Sequence, residues 1–380
     1  MKEKPSVIIA GAGGIAKALA LILAEWSPRQ LKIWIGNRTL EKAEQLVRWA
    51  QKSCTNKTDI QAFHLPEEGP YTEELHAIFE RASILLDCLP GSQAPRMAQI
   101  AVDFNMHYAN LTEYVKETEQ IKELARHSDK AFVLQSGLAP GFINVLAHGM
   151  FQDFCQAHGV DKVDEVQMRV GALSRHAAPP AYYGFTWSPV GVATEYIKPA
   201  IAVRHGKKTS LPSLSERREI RIEGLAYEED LTSGGAADLP DALEGKVTSL
   251  DYKTIRYPGH YAWVAEQLDE ISDGNNHIEL LQAKMEAFIP HLEDDLVIVY
   301  AAVQGIDRRG ALRREEKSFR IFPSKVGNAR LRAIQTTTAG PMAEVALMLL
   351  GEHDHKGIVL QSMIDASRFL SGAIIKKIYT

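Results

Sequence analysis

The chain has 380 residues, 45% hydrophobic and 24% charged, an ordinary globular composition that supports a sizeable core and argues against disorder; at roughly 100–200 residues per domain, two domains fit. A net charge of −5 and a pI of about 6.2 offer no basic excess for nucleic acid or an anionic membrane. Three cysteines, Cys54, Cys88 and Cys155, with no CxxC spacing speak against a disulfide framework or a zinc site and fit a reducing cytoplasm.

Residues 5–10 (PSVIIA) read as a strand buried on both faces. A glycine loop follows, then IAKALALILAEW at helical spacing, with Pro28 beyond its end. LKIWIG (31–36) reads as a second strand, and Thr39 is placed to cap the helix LEKAEQLVRWAQ. A third strand is expected at Ile60–Phe63, a helix near Tyr71–Arg81 and a buried strand in ASILLDCLP. PRMAQIAVDFN reads as helix, HYANL as strand, TEQIKELARHS as helix and AFVLQSG as the last strand. Alternation from residue 5 to about 136 implies parallel strands with crossover helices, an α/β Rossmann-type doubly wound sheet. The run Val7–Ile9 leads straight into glycines, as a first strand does and a signal segment does not. No stretch reaches the roughly 18–20 apolar residues that span a bilayer.

The pattern changes after Gly141. Residues 163–172 read as a strand and 173–186 as a loop; REIRIEG, KVTSLDYKTIRY and DLVIVYAAVQG predict an inserted α+β domain with a mostly antiparallel sheet. Residues 338–350 and Ile364–Ile375 read as helices. The expected division is a dinucleotide-binding domain, 1–139, completed by helices in 338–380, and a substrate-binding and dimerisation domain, 140–337. Arg308-Arg309 and Arg313-Arg314 read as a solvated turn, and EHDHKG (352–357) as an exposed loop without a metal.

The loop Gly11-Ala12-Gly13-Gly14-Ile15-Ala16 is a GxGxxA between strand and helix, the context that a dinucleotide fingerprint requires. Gly11 makes the tight turn, Gly13 lets the backbone approach a pyrophosphate, and Ala16 allows close helix–strand packing. The helix N-terminus, at Gly14 and Ile15, offers N–H groups to phosphate. NAD enzymes usually carry Asp or Glu at the end of the second strand; here stand Gly36-Asn37-Arg38. Arg38 either holds a 2′-phosphate, which favours NADP(H) and leaves NAD possible, or stacks on adenine.

LLDCLPG (85–91), HYANLTEY (107–114), SGLAPGFINVLA (136–147), YGFTWSPVGVATEYIKPA (183–200), YKTIRYPGH (252–260) and TTTAGPMAEVALMLL (336–350) together resemble the saccharopine dehydrogenase-like family, nearly end to end. That group includes saccharopine reductases, lysine 6-dehydrogenases and carboxynorspermidine dehydrogenases. The resemblance implies hydride transfer between nicotinamide and a carbon bearing an amine, a substrate of the amino-acid or amine class, an inserted second domain and commonly a homodimer. It places Leu89, Pro90 and Gly91, and Leu111, Thr112, Glu113 and Tyr114, beside nicotinamide and substrate. Glu113 is then a candidate acid–base group, or an exposed capping carboxylate. Gly137 and Pro140 precede a helix whose N–H groups could hold a carboxylate or phosphate, or form a hinge.

In the second domain Trp187 shapes a substrate pocket or packs in the core, and Thr232 and Gly234 belong to a donor-rich loop that ordinary turn chemistry also explains. Lys253, Arg256, Tyr257 and His260 form a basic and aromatic cluster. Arg256 is a candidate carboxylate anchor; His260 is a candidate proton carrier near neutral pH, or merely a residue at a helix start. Fungal saccharopine reductases tend to carry an arginine where this chain has Val190, while Glu195-Tyr196 resembles the bacterial members. Lysine dehydrogenases tend to be acidic at the second-strand end, which this chain is not, so the substrate signals conflict. Two alternatives stand beside C–N chemistry: reduction of a C=O or C=C bond, and a dinucleotide-binding regulator without turnover.

Overall fold

The computed structural model describes residues 4–112, 115–271 and 276–380. The chain divides into two compact units, Met1–Phe142 with Ser324–Leu331 and Gln335–Thr380, and Ile143–Pro323 with Arg332–Ile334. Among the described residues no helix is long and apolar enough to cross a membrane.

The first unit is built on β1 (Ser6–Ala10), β2 (Lys32–Asn37), β3 (Asp59–His64), β4 (Ile84–Asp87), β5 (His107–Asn110) and β6 (Ala131–Val133). With the strand Gly357–Val359 they form a seven-stranded parallel sheet, ordered Gly357–Val359, β6, β5, β4, β1, β2, β3. Every residue of β1 and β4 is buried, which is why both segments are continuous apolar runs and not alternating ones. The connecting helices are α1 (Gly14–Trp26), α2 (Leu40–Ser53), α3 (Glu73–Arg81), α4 (Ala94–Asp103) and α5 (Val115–Ala125). Helix α2 buries Ala43, Leu46, Val47 and Ala50, the stripe that faces the sheet. Strand β1 lies between β2 and β4, so the chain reverses direction across the sheet there and opens a crevice at their carboxyl ends.

Two local expectations are corrected. Thr39 sits at the N-cap of α2, but its side chain makes no capping bond; the Asn37 carboxamide accepts the Thr39 N–H instead, at 2.9 Å. The segment Ile364–Ile375 is not one helix. It forms a short helix, Ala366–Leu370, and another, Ile375–Ile378, because the Ile374 N–H turns onto the buried Glu344 carboxylate at 2.8 Å.

The second unit begins within α6 (Phe142–His158) and carries β7 (Val163–Ser174), β8 (Ala200–Arg204), β9 (Lys207–Leu211), β10 (Arg218–Ile222), β11 (Leu225–Leu231), β12 (Val247–Arg256), β13 (Asp295–Ile306) and β14 (Leu312–Ile321). The sheet order is β10, β11, β12, β7, β13, β14, with β8 pairing β12 and β9. Only β7 and β12 pair in parallel among these strands; the other pairings are antiparallel. The sheet curls on itself: Arg320 of β14 reaches the Tyr227 hydroxyl of β11 at 3.4 Å, and Ser318 donates to Glu223 at 3.0 Å. This encloses an apolar cluster that includes Leu173, Tyr227, Ile255 and Ile298. Helices α7 (Pro189–Ile197), α8 (Leu239–Ala242), α9 (His260–Asp269) and α10 (His277–Phe288) complete the unit, and Val192, Tyr196, Trp263 and Leu281 share a core. The basic pair Arg313-Arg314 lies on β14 and not in a turn; Arg313 pairs with Asp307 and Arg314 with Glu316, which satisfies both charges along the strand.

Candidate functional site

A cleft of about 640 Å³ opens at the carboxyl ends of β1, β2 and β4, walled by the glycine loop, by Asn37 and Arg38, and by Cys88, Leu89 and Pro90. Gly11 holds φ +116°, and a Cβ there would lie 3.0 Å from the Cys88 carbonyl oxygen. Its N–H donates to the Gly36 carbonyl at 2.7 Å, which seats the turn on the sheet. Gly13 differs: an added Cβ would meet no protein atom within 4 Å and would project into open space beside the cleft that the residue lines. No side chain caps α1, Gly13 and Gly14 are exposed and Ile15 half-exposed. Free first-turn N–H groups, a positive helix end and a loop without side chains fit the pyrophosphate of a dinucleotide. Ala16, fully buried, lets α1 lie close on the sheet.

The loop after β4 is clamped by Asp87. This buried carboxyl accepts the Leu89 N–H at 2.9 Å and the Tyr108 hydroxyl at 2.8 Å. Burial pushes its pKa up to about 7, against the lowering effect of those two donors. Burial and the neighbouring Asp87 push the Cys88 thiol up, away from nucleophilic thiolate chemistry. Gly91 opens the short turn Gly91–Gln93 that leads into α4.

At the far end of β2, Arg38 is exposed and its Nη1 lies 2.6 Å from Glu67 Oε1. Lys42 and Arg96 line the same cleft, and Arg96 Nη2 is buried without a hydrogen-bond partner. Glu67 and Arg96 escape sequence reasoning because each comes from a different segment and only the sheet order brings it to this cleft, whereas Lys42 follows Arg38 directly on the first turn of α2. Leu111 and Gly137 also meet: a Cβ on Gly137 would lie 3.4 Å from Leu111 Cδ2. Gly137 closes its own loop, donating to the Pro140 carbonyl at 3.1 Å and accepting from Phe142 N–H at 2.8 Å. Neither Leu111, Gly137 nor Pro140 lines the cleft, and Thr112 is half-exposed after β5. Glu113 and Tyr114 lie outside the described residues.

The second unit places its candidates in two buried networks. Arg256 donates from Nε to the Tyr196 hydroxyl at 2.7 Å, Tyr196 pairs with His260 Nε2 at 2.9 Å, and His260 Nδ1 meets the Ala181 carbonyl at 2.7 Å. The carbonyl only accepts, so Nδ1 carries the proton, Nε2 accepts from Tyr196, and Tyr196 accepts from Arg256. His260 is fully buried, and burial with the Arg256 charge pushes its pKa down to about 3. Both ring nitrogens of His260 are thus engaged by protein partners, and the ring is buried. Arg256 is buried too, its guanidinium 4.7 Å from the Tyr183 ring centroid.

Lys253 belongs to a second network, its Nζ bonding the Glu216 carbonyl at 2.7 Å and the Glu216 carboxylate at 3.3 Å. Nearby, Arg169 binds Asp251 at 2.6 Å and Glu229, while Arg204 binds Asp251 at 2.7 Å. Lys253 is buried, with Glu216 as its near partner. Thr232 is buried against Thr254, hydroxyl to hydroxyl at 2.6 Å, while Gly234 is exposed at φ +90°. Trp187 is half-buried, and Ser188 beside it caps α7 through the Gly191 N–H at 3.3 Å. Val190 is exposed. Among the described residues no group of three or more His, Cys, Asp or Glu is arranged to hold a metal ion.

Comparison with known proteins agrees with this architecture. A model of the saccharopine dehydrogenase NADP binding domain matches residues 7–135, and one of the saccharopine dehydrogenase C-terminal domain matches residues 137–373. Alpha-aminoadipic semialdehyde synthase of Arabidopsis thaliana is 25% identical over 283 residues, which cover 68% of this chain and 26% of that protein. The mitochondrial alpha-aminoadipic semialdehyde synthase of Rattus norvegicus is 24% identical over 219 residues, covering 54% and 21%. The chain thus spans about a quarter of the length of the curated relatives it matches. The apo saccharopine dehydrogenase (L-Glu forming) from Saccharomyces cerevisiae has the same fold, with a TM-score of 0.74 at 14% identity over 99% of this chain and 98% of that one. With both of its units matched, one carrying a glycine cradle for a nicotinamide dinucleotide, the chain belongs to the saccharopine dehydrogenase family.

Proposed function

We propose that the chain is an NADP(H)-dependent oxidoreductase acting on a C–N bond of an amino acid or related amine. The observation that carries the cofactor choice is Arg38: an exposed guanidinium, not a carboxylate, ends β2 at the rim of the cleft, in the segment that matches an NADP binding domain. Gly11, Gly13 and the start of α1 hold the pyrophosphate, Arg38 meets the 2′-phosphate, and Asp87 keeps Leu89 and Pro90 against the cleft. The bound dinucleotide supplies or accepts a hydride at the carbon that bears nitrogen. In the reducing direction an aldehyde and an amine condense with loss of water, and the imine takes up the hydride and a proton.

The substrate class rests on the relatives, whose names concern alpha-aminoadipic semialdehyde and glutamate formation. The test is consumption of NADPH by the purified chain with a carboxylate-bearing aldehyde and glutamate together and apart. A rate that requires both supports C–N chemistry. A rate with the aldehyde alone moves the reading to carbonyl reduction, and binding of dinucleotide without turnover on any amine favours a regulator.

A further inference from the structure

The cleft already holds an anion where the cofactor's phosphate would go. Glu67 Oε1 lies 2.6 Å from Arg38 Nη1, and both side chains are more than half exposed, at 52% and 67%. Both line the cleft, together with Lys42 from the first turn of α2. The backbone explains the placement. The Leu65 N–H donates to the Asn37 carbonyl at 3.0 Å, which fixes the end of β3 beside the end of β2 and delivers Glu67, two residues on, to the arginine. The loop is pinned while the carboxylate stays in solvent, so the pair can open without disturbing the core.

We propose that Glu67 weakens the dinucleotide preference by occupying Arg38 until a 2′-phosphate displaces it; this rests on the NADP(H) reading above. Two anions then compete for one guanidinium. An exposed pair of this kind contributes at most about 1 kcal/mol, so a phosphate carrying more charge can break it, at a cost in affinity. NADH has a hydroxyl at that position, leaves the pair intact and can donate to the carboxylate. Glu67 therefore narrows the gap between the two cofactors, below what Arg38 and Lys42 alone would produce.

The experiment is calorimetric titration with NADPH and with NADH of the wild-type chain, Glu67→Gln, Arg38→Ala and, as a neighbouring charge control, Glu68→Gln, which lies outside the cleft lining. Melting temperature reports folding independently. Glu67→Gln is expected to bind NADPH about fivefold tighter, the equivalent of the ~1 kcal/mol exposed pair, with NADH unchanged or weaker and Glu68→Gln silent. NADPH binding that is unchanged or weaker in Glu67→Gln overturns the proposal, as does equal tightening of both cofactors. Arg38→Ala separates the two levels: if it leaves NADPH affinity intact the NADP(H) reading itself fails, and if it weakens NADPH while Glu67→Gln has no effect only the competition fails.

Discussion

At Gly11 the fold demands glycine, through φ +116° and the Cys88 carbonyl 3.0 Å from any Cβ; at Gly13 the protein offers a Cβ no neighbour within 4 Å. The two substitutions should separate accordingly. Gly11→Ala is expected to cost about 1–2 kcal/mol of stability as well as dinucleotide affinity. Gly13→Ala is expected to shift the denaturation midpoint by less than about 1 kcal/mol while weakening dinucleotide binding at least about tenfold. A Gly13→Ala chain that loses stability and keeps its affinity would show that the loop serves the fold and not a phosphate.

Two buried groups give the chain opposing responses to acid. Burial pushes the His260 pKa down from the ordinary 6.5 to about 3 in the native state. Between those values the unfolded chain binds a proton that the native chain refuses, so this term loses stability as pH falls from 6.5. Asp87 has its pKa pushed up from 3.8 to about 7. Between those values the native chain keeps a proton that the unfolded chain releases, so this term gains stability as pH falls from 7. Each slope approaches about 1.4 kcal/mol per pH unit, with opposite sign. Urea midpoints followed from pH 6.5 down to 4.5 should fall more steeply in Asp87→Asn than in wild type and less steeply in His260→Phe. Parallel curves for all three would contradict the assignment.

Among the elements, the buried ones announce themselves and the edges do not. Strands β1, β4 and β13 are apolar runs because both faces are covered, and the central β12 alternates enough to be recognised. Strand β14, LRREEKSFRI, ends the sheet with half of its residues exposed and one buried, so its sequence looks like a charged turn although its register with β13 runs from Val297↔Ile321 to Ile306↔Leu312. The β8–β9 hairpin is missed for a related reason, since β9 has no buried residue.

What joins the strands of the second sheet is partly ionic: Arg169 of β7 is buried between Asp251 of the neighbouring β12 and Glu229 of β11 beyond it. Removing the cation takes from two buried carboxylates the one counter-charge that both share. Arg169→Ala is expected to cost about 3–5 kcal/mol in equilibrium unfolding. A loss under about 1 kcal/mol would mean that Arg204 on Asp251, and Arg218 with Lys253 on Glu229, suffice to neutralise the pair.

For the whole molecule, the fold class was legible because βα alternation and the glycine fingerprint are local patterns. The site was legible only in part. Gly11, Gly13, Asn37, Arg38, Leu89 and Pro90 do line one cleft, since each follows a strand end that the alternation places at the same edge. Glu67 and Arg96 join them only once β3 and β4 take their places in the sheet, which no local pattern reveals. The burial of His260 and Lys253 and their partners were not legible from residue type, because they come from segments distant in sequence.

We propose that a nicotinamide dinucleotide sits on the glycine cradle and that Arg38 selects its phosphorylated form. Isothermal titration of the wild-type chain and Arg38→Ala with NADPH and NADH tests it most directly. NADPH is expected to bind at least about tenfold tighter than NADH, with the preference lost in the variant and NADH affinity retained. Equal affinities in the wild type, or a preference that survives the loss of Arg38, would contradict it.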